Sequence, residues 1–219
     1  MKKIILTATA VFAISFANAQ DVKFGIKGGL NLSSATISGI DEPFFGEISS
    51  RTSFHFGGVA VIKITDKFTF QPELLLNSLG VKFNLTETQP QYFYDSSNNI
   101  KLTYLSIPLI AKFNIFNGLY LEGGPQIGIL VDAKNESSVI ETSNGFTISE
   151  SGTKNAKDNF KSLDFGLNIG TSYNIENNMF FSARYYYGLS DLWKQASNTD
   201  LGLGYKNNCL QLSVGYMFK

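Results

Sequence analysis

Seven charged residues stand in stretches that otherwise alternate between apolar and small polar side chains. They are Lys27, Lys63, Glu73, Lys112, Glu122, Asp164 and Arg184. Carboxylates beside cations are what an acid–base site requires. They are equally what a structural ion-pair network requires, because enclosed charges must be paired. We predict a structural network, with Arg184 and Lys112 among Glu73, Glu122 and Asp164, and no catalytic residues.

The one histidine, His55, is the main candidate for nucleophilic catalysis. Ser53 and Glu47 lie near it in sequence, and a Ser–His–acid arrangement would suit an esterase or acyltransferase. Proximity in sequence is weak support for such a site. One histidine and one cysteine, Cys209, do not make a transition-metal cluster of the usual kind. We therefore predict no metal-binding and no cofactor-binding residues.

The composition favours an all-β protein with no nucleic-acid partner. Aromatic residues make up 14% of the 219 residues, glycine occurs 20 times, and charged residues are only 16%. Such a chain is rich in residues that form and bend strands. Lys and Arg together number 18, as do Asp and Glu, so there is no long-range attraction for a polyanion.

The N-terminus resembles an export signal. Lys2 and Lys3 precede an uncharged apolar run over 4–17, and Ala17-Asn18-Ala19 has the small-x-small pattern of a cleavage site. The apolar run is shorter than the roughly 20 residues that a transmembrane helix needs. We predict a signal peptide over 1–19 and one β-barrel domain over 20–219.

Eight stretches alternate with a period of two, as strands do. They cover 22–33, 53–64, 68–83, 102–115, 119–131, 162–175, 179–190 and 208–219. Their connections alternate between short (65–67, 116–118, 176–178) and long (34–52, 84–101, 132–161, 191–206), with a short hairpin considered inside 132–161. Short turns at one end and long loops at the other are typical of outer-membrane barrels.

The predicted fold is therefore an all-β, eight-stranded, antiparallel up-and-down transmembrane β-barrel in the cell outer membrane. A soluble eight-stranded barrel of the lipocalin type is the alternative, with apolar residues inside instead of outside. In the membrane fold the seven charged residues face the lumen, and the last strand closes the barrel against 22–33. An eight-stranded lumen is just wide enough for side chains to fill, which argues against a wide pore.

Aromatic residues cluster where membrane-interface girdles belong. Near the short turns are Phe24, Phe68, Phe70, Phe113, Phe181, Tyr216 and Phe218, and near the long loops are Phe54, Phe56, Phe83, Tyr187 and Trp193.

Six short motifs, in order along the chain, resemble the PorT-like outer-membrane β-barrel family, whose members often carry a porin-family label. They lie at 25–33 (GIKGGLNLS), 105–113 (LSIPLIAKF), 123–128 (GGPQIG), 164–166 (DFG), 184–189 (RYYYGL) and 214–218 (VGYMF). The resemblance implies a barrel in the outer membrane of a Gram-negative bacterium. The member that names the family serves a protein-secretion apparatus, and no shared catalytic motif carries over.

The predicted role is structural or binding: a monomeric scaffold with a charge-filled narrow lumen and four extracellular loops. The alternatives are a narrow pore or transport component, an accessory of a protein-secretion apparatus and, least favoured, a lipid-modifying membrane enzyme. The expected partners are outer-membrane lipid, the barrel-assembly machinery, which would read the aromatic end of the last strand, and an extracellular ligand or secretion-complex partner bound through the loops.

Overall fold

The computed structural model describes residues 22–39, 47–175, 177–194 and 204–218. The predicted signal peptide lies outside these ranges and stays a prediction. Within the described residues there are nine strands: β1 (Val22–Ser38), β2 (Glu47–Lys63), β3 (Phe68–Gln89), β4 (Tyr92–Phe116), β5 (Leu119–Ser143), β6 (Phe146–Asn155), β7 (Leu163–Asn174), β8 (Met179–Gly188) and β9 (Gly204–Met217). No helix in the described part of the chain has the length and apolarity to cross a membrane.

Eight of the nine strands form a closed antiparallel ring. The neighbours run β4-β3-β2-β1-β9-β8-β7-β5, and β4 also pairs with β5. The predicted closure by the last strand is confirmed, because β1 pairs with β9 over fourteen residue pairs from Gly25↔Met217 to Ser38↔Gly204. A closed ring leaves no unpaired edge in hydrocarbon. The eight-stranded up-and-down barrel is thus confirmed, and β6 pairs with β5 outside the ring.

The two faces of the barrel have the polarity of a membrane protein. Along β8 every second residue is buried, and the inward set includes Ser182 and Arg184 while Phe181 and Tyr185 are exposed. On β9, Leu210, Leu212 and Val214 face outward, whereas Gln211 and Ser213 are buried. Apolar side chains outside and polar ones inside are the reverse of a soluble barrel, so the lipocalin-type alternative is wrong.

The aromatic side chains follow the predicted girdles with two exceptions. Phe24, Phe68 and Phe181 are exposed near the short turns, and Phe54 and Phe56 are exposed near the other end. The prediction was wrong for Phe83, which is 9% exposed, and for Trp193, which packs against a buried cluster at the end of the barrel opposite the short turns. Phe83 points inward because it continues the inward alternation of β3, whereas Trp193 lies against the ring of Phe160.

Two segments that were predicted as loops form paired hairpins instead. The segment 84–101 forms the far ends of β3 and β4, which pair from Asn84↔Ser97 to Gln89↔Tyr92. The segment 132–161 contains the end of β5 and all of β6, so the short hairpin considered there is a long one. Outside the membrane both faces of a strand meet water, and such strands lack the apolar alternation that marks the barrel wall.

Two Asn-Gly pairs make the tight turns of hairpins. Asn117 and Gly118 have φ values of 41° and 84°, and Asn144 and Gly145 have 50° and 83°. Positive φ at both central positions is what a type I′ turn needs. The first pair was predicted to be a hairpin turn, and the second was the sequence signal for the β5–β6 hairpin.

A glycine at the closing seam allows β1 and β9 to approach each other. A Cβ atom at Gly29 would overlap the Leu212 carbonyl oxygen, whereas one at Gly152 of β6 would meet no atom within 4 Å. We expect Gly29→Ala to destabilise the barrel by about 1–3 kcal/mol, as overpacking does. The measurement is urea unfolding in detergent, together with the mobility of unboiled samples on gels.

The matched control for the seam is Gly152→Ala, which should unfold at the wild-type urea concentration. Equal midpoints for the two variants would contradict the role of Gly29 in closure.

Candidate functional site

Five of the seven predicted charged residues meet in the half of the lumen nearest the short turns. Arg184 on β8 bridges Glu73 on β3 (Nη1–Oε2 3.1 Å, Nη2–Oε1 3.0 Å) and Glu122 on β5 (Nη2–Oε2 2.9 Å). Lys27 on β1 lies 3.3 Å from Glu73, and Lys112 on β4 lies 3.1 Å from Glu122. All five side chains are almost completely buried. We name this set, Lys27, Glu73, Lys112, Glu122 and Arg184, the ion ring.

Gln71 closes the ion ring between its two halves. Its Nε2 donates to Glu73 Oε1 at 2.7 Å, and its Oε1 accepts from Lys112 Nζ at 3.2 Å. Lys112 also lies over the rings of Tyr120 and Phe180, at 5.0 and 5.4 Å from their centroids. The ion ring thus joins side chains from opposite walls of the barrel.

The ion ring does not have the form of an acid–base site. Three cations face two carboxylates, which leaves an excess of one positive charge. Both carboxylates are engaged by Arg184, and each has a lysine as well. A general base needs a lone pair that can reach substrate, and here those lone pairs are directed at cations.

Two of the seven charged residues do not belong to the ion ring, which corrects the prediction. Lys63 lies half-exposed at the end of β2 and pairs with Asp66 at 2.8 Å. The hydrogen bond from Lys63 lowers the pKa of Asp66 in this exposed turn. Asp164 is buried, but its carboxylate accepts from Asn207 Nδ2 at 2.9 Å instead of meeting Arg184 or Lys112. Lys63 departs because it is the last residue of β2, at the short-turn end, and Asp164 departs because it stands at the start of β7, at the other end of the barrel.

His55 lies at the centre of the lumen, with partners other than the predicted ones. Its Nε2 is 2.8 Å from Ser213 Oγ and its Nδ1 is 2.7 Å from Asn31 Oδ1. Of the residues predicted beside it, Ser53 donates to the Ser78 carbonyl at 2.6 Å and Glu47 begins β2 at the extracellular end. Ser213 and Asn31 are far from His55 in sequence, so only the closed ring brings them together.

Ser213, His55 and Asn31 stand in the order of a nucleophile, a base and an orienting residue. His55 and Asn31 are 1% and 0% exposed, and Ser213 is 7% exposed. Asn31 in turn donates to Asn77 at 2.7 Å and to the Ser78 carbonyl at 2.9 Å. The backbone N–H groups beside Ser213 are paired in the β1–β9 and β8–β9 ladders, where an oxyanion hole would need them free. The trio therefore forms part of the polar lumen filling.

The half of the lumen farthest from the short turns is filled by apolar side chains, which the sequence analysis missed. We name it the apolar plug; its central members are Leu79, Val81, Leu102, Leu130, Phe160, Leu192 and Tyr205. Phe160 meets Trp193 and Tyr205 edge-on at 5.5 and 5.4 Å. The sequence of β3 already indicated this apolar filling. Leu75, Leu79 and Val81 lie on the same face of the strand as Glu73 and Asn77, so they also face the lumen.

The connections that follow β6 and β8 hold the apolar plug in place. The Lys161 N–H donates to the Leu192 carbonyl at 2.7 Å, and the Lys194 N–H donates to the Asn159 carbonyl at 2.9 Å. Asp191 accepts from the N–H groups of Trp193 and Tyr205. The connection after β6 and the one after β8 are therefore tied to each other across the mouth of the barrel.

A cavity of about 480 Å³ opens at the end of the barrel that carries the short turns. Lys23, Lys63, Tyr120 and Asn174 line its wall, and Gln71 and Lys112 form part of its floor. The cavity thus ends at the ion ring. Among the described residues no group of three or more His, Cys, Asp and Glu side chains is placed to hold a metal.

A closed ring of eight strands with an apolar exterior, and an interior filled by ion pairs and hydrogen-bonded polar side chains over much of its length, defines an outer-membrane β-barrel protein. The family described as the outer membrane protein beta-barrel domain matches residues 17–194. The chain belongs to this family, and its place is the cell outer membrane of a Gram-negative bacterium.

Solved structures with a similar fold have little sequence in common with this chain. Ail, the attachment invasion locus protein of Yersinia pestis, is 15% identical, with a TM-score of 0.43 and coverage of 91% of this chain and 100% of its own. Neisserial surface protein A is 14% identical (TM-score 0.40, 91% and 100% covered). OprG from Pseudomonas aeruginosa is 13% identical (TM-score 0.38, 90% and 95% covered). No curated protein matches the sequence.

The charge count of the ion ring predicts an order of variant stabilities. Glu73→Gln leaves three cations with one carboxylate and should cost about 3–5 kcal/mol, the usual penalty for breaking a buried ion pair. Arg184→Met leaves two cations with two carboxylates, still paired through Lys27 and Lys112, and should cost less. Urea unfolding of folded protein in detergent measures both.

The double variant Glu73→Gln/Arg184→Met should lose less stability than the sum of the two single variants, because the residues share contacts. Lys63→Gln, at the exposed pair, serves as the control and should leave the unfolding curve unchanged. An Arg184→Met variant less stable than Glu73→Gln would contradict the charge argument.

Proposed function

We propose that this outer-membrane barrel is a closed scaffold that presents an extracellular β-sheet to a binding partner, without catalysis. One observation carries the proposal: β4 and β5 are each 25 residues long, whereas about 9–11 residues cross the membrane. Their outer halves, with the end of β3 and all of β6, form a sheet beyond the barrel. We name this part, 84–99 and 134–155, the outer sheet.

The outer sheet carries features of a binding surface. Phe146 and Ile148 near its tip are 81% and 67% exposed. They lie beyond the barrel wall, so membrane lipid does not cover them. All ten residues of β6 are exposed, and within the described chain β6 pairs with β5 alone. An open strand edge beside apolar side chains is a surface to which an extended segment of another protein can add.

The lumen supports the scaffold role over the pore alternative. The ion ring closes one half and the apolar plug the other, so two different fillings stand in series. A conducting path would have to displace paired charges as well as packed aromatic rings, and both are costly. His55 and Ser213, the residues that a membrane enzyme would use, are enclosed between these two layers.

The secretion accessory remains the second candidate, suggested by the PorT-like motifs. The cavity at the short-turn end favours it, because that end faces the periplasm in barrels of this kind. We further propose that the protein is a monomer in outer-membrane lipid, and that the barrel-assembly machinery reads the aromatic end of β9.

The closed lumen predicts the behaviour of the protein in planar bilayers. We expect folded wild-type protein to give no discrete current steps. Phe160→Ala/Leu192→Ala, which thins the apolar plug, should also give none because the ion ring is intact. Steps of uniform size from the wild type would contradict the scaffold and favour the pore.

The outer sheet predicts a position-dependent contact with a partner. A photo-crosslinking phenylalanine analogue at Phe146 should yield cross-linked species on living cells, and its yield should fall when Ile148→Ser is added. The matched control is the same analogue at Phe116, which is 60% exposed at the short-turn end. No product at Phe146 would contradict the proposal, and products at Phe116 alone would favour the secretion accessory.

A further inference from the structure

Asp164 is a buried carboxylate without a cationic partner. It lies at the start of β7, 1% exposed, and no described Lys, Arg or His nitrogen lies within 4.0 Å of it. The polar groups beside it, the Asn207 amide and the Tyr186 hydroxyl, are both neutral, so no described positive charge balances the carboxylate.

Oxygen atoms surround this carboxylate. Asp164 Oδ1, Asn207 Oδ1 and the Tyr205 hydroxyl have no hydrogen-bond partner, and their side chains are at most 2% exposed. Asn207 Nδ2 donates hydrogen bonds to two other members of this cluster, to Asp164 Oδ2 at 2.9 Å and to the Tyr104 hydroxyl at 3.3 Å. The Tyr186 hydroxyl also faces the Asp164 carboxylate.

Buried polar atoms in proteins are nearly always satisfied, and a buried ion without a partner is especially costly. Carboxylate, amide and hydroxyl oxygens are hard ligands of the kind that alkali and alkaline-earth cations take. Divalent sites usually draw charge from more than one carboxylate, whereas this cluster has one. A single positive charge would match the single carboxylate.

We propose that Asp164, Asn207 and the neighbouring tyrosine hydroxyls form a binding site for a monovalent alkali cation in the upper lumen. The site lies where the polar filling meets the apolar plug. Tyr205 belongs to both, since its ring contacts Phe160 and its backbone N–H donates to Asp191. Binding of the cation stabilises the closure of the extracellular mouth through Tyr205.

The experiment compares folded protein in a zwitterionic detergent with sodium chloride or with N-methylglucamine chloride of the same ionic strength. Sodium should raise the unfolding midpoint, followed by the fluorescence of the single tryptophan, Trp193, by about 2–4 °C. The sodium-23 NMR line should broaden with wild-type protein and sharpen again when potassium is added. Asp164→Asn should lose both effects.

Asp132→Asn is the matched control, because Asp132 is a half-exposed carboxylate on neighbouring β5 that pairs with Lys134. It should keep both sodium effects. Should Asp164→Asn fail to fold, the wild-type NMR competition decides alone. Equal midpoints in the two salts with no line broadening would overturn the site, as would stabilisation by magnesium or calcium only.

Discussion

The structure depends on the pairing of β1 with β9. A strand in hydrocarbon has no water to satisfy its N–H and C=O groups, so the sheet must close on itself. With eight strands the closed ring leaves a lumen too narrow for bulk water but too wide to be empty. Side chains must therefore fill it. The residue types at the inward-facing positions of each strand decide whether the filling is ionic, neutral or apolar. The ion ring, the His55 hydrogen bonds and the apolar plug are all consequences of this closure.

The filling changes character along the barrel axis. Near the short turns it is ionic, and Arg184 on β8 reaches Glu73 on the opposite wall as well as Glu122 on β5. In the middle it is neutral and hydrogen-bonded, around His55 and Asn31. At the extracellular mouth it is apolar. Directional polar contacts set the relative heights of the strands, whereas the apolar plug joins the two connections that cross the mouth.

Much of the barrel could be predicted from the sequence because one face of each strand meets lipid. That constraint produces the alternation from which the eight barrel strands and the inward position of Arg184 follow. The contacts inside could be predicted only in part. Glu73 and Asp164 look alike in sequence, but the stagger between strands places one in the ion ring and the other beside Asn207. Stagger depends on irregularities such as the register shift between Ser50 and His55.

The outer sheet could not be predicted from the sequence, because its strands have no face in contact with lipid. Beyond the membrane no lipid selects one face, so β6 and the ends of β3 to β5 read as polar loops although they pair as regularly as the barrel wall. The outer sheet needs no hydrophobic core of its own, because the barrel already holds β4 and β5 in register. Each further residue pair extends an existing ladder of backbone hydrogen bonds. The barrel thus acts as the nucleus of the outer sheet. The side chains of the outer sheet can then change without disturbing the closure on which the fold depends.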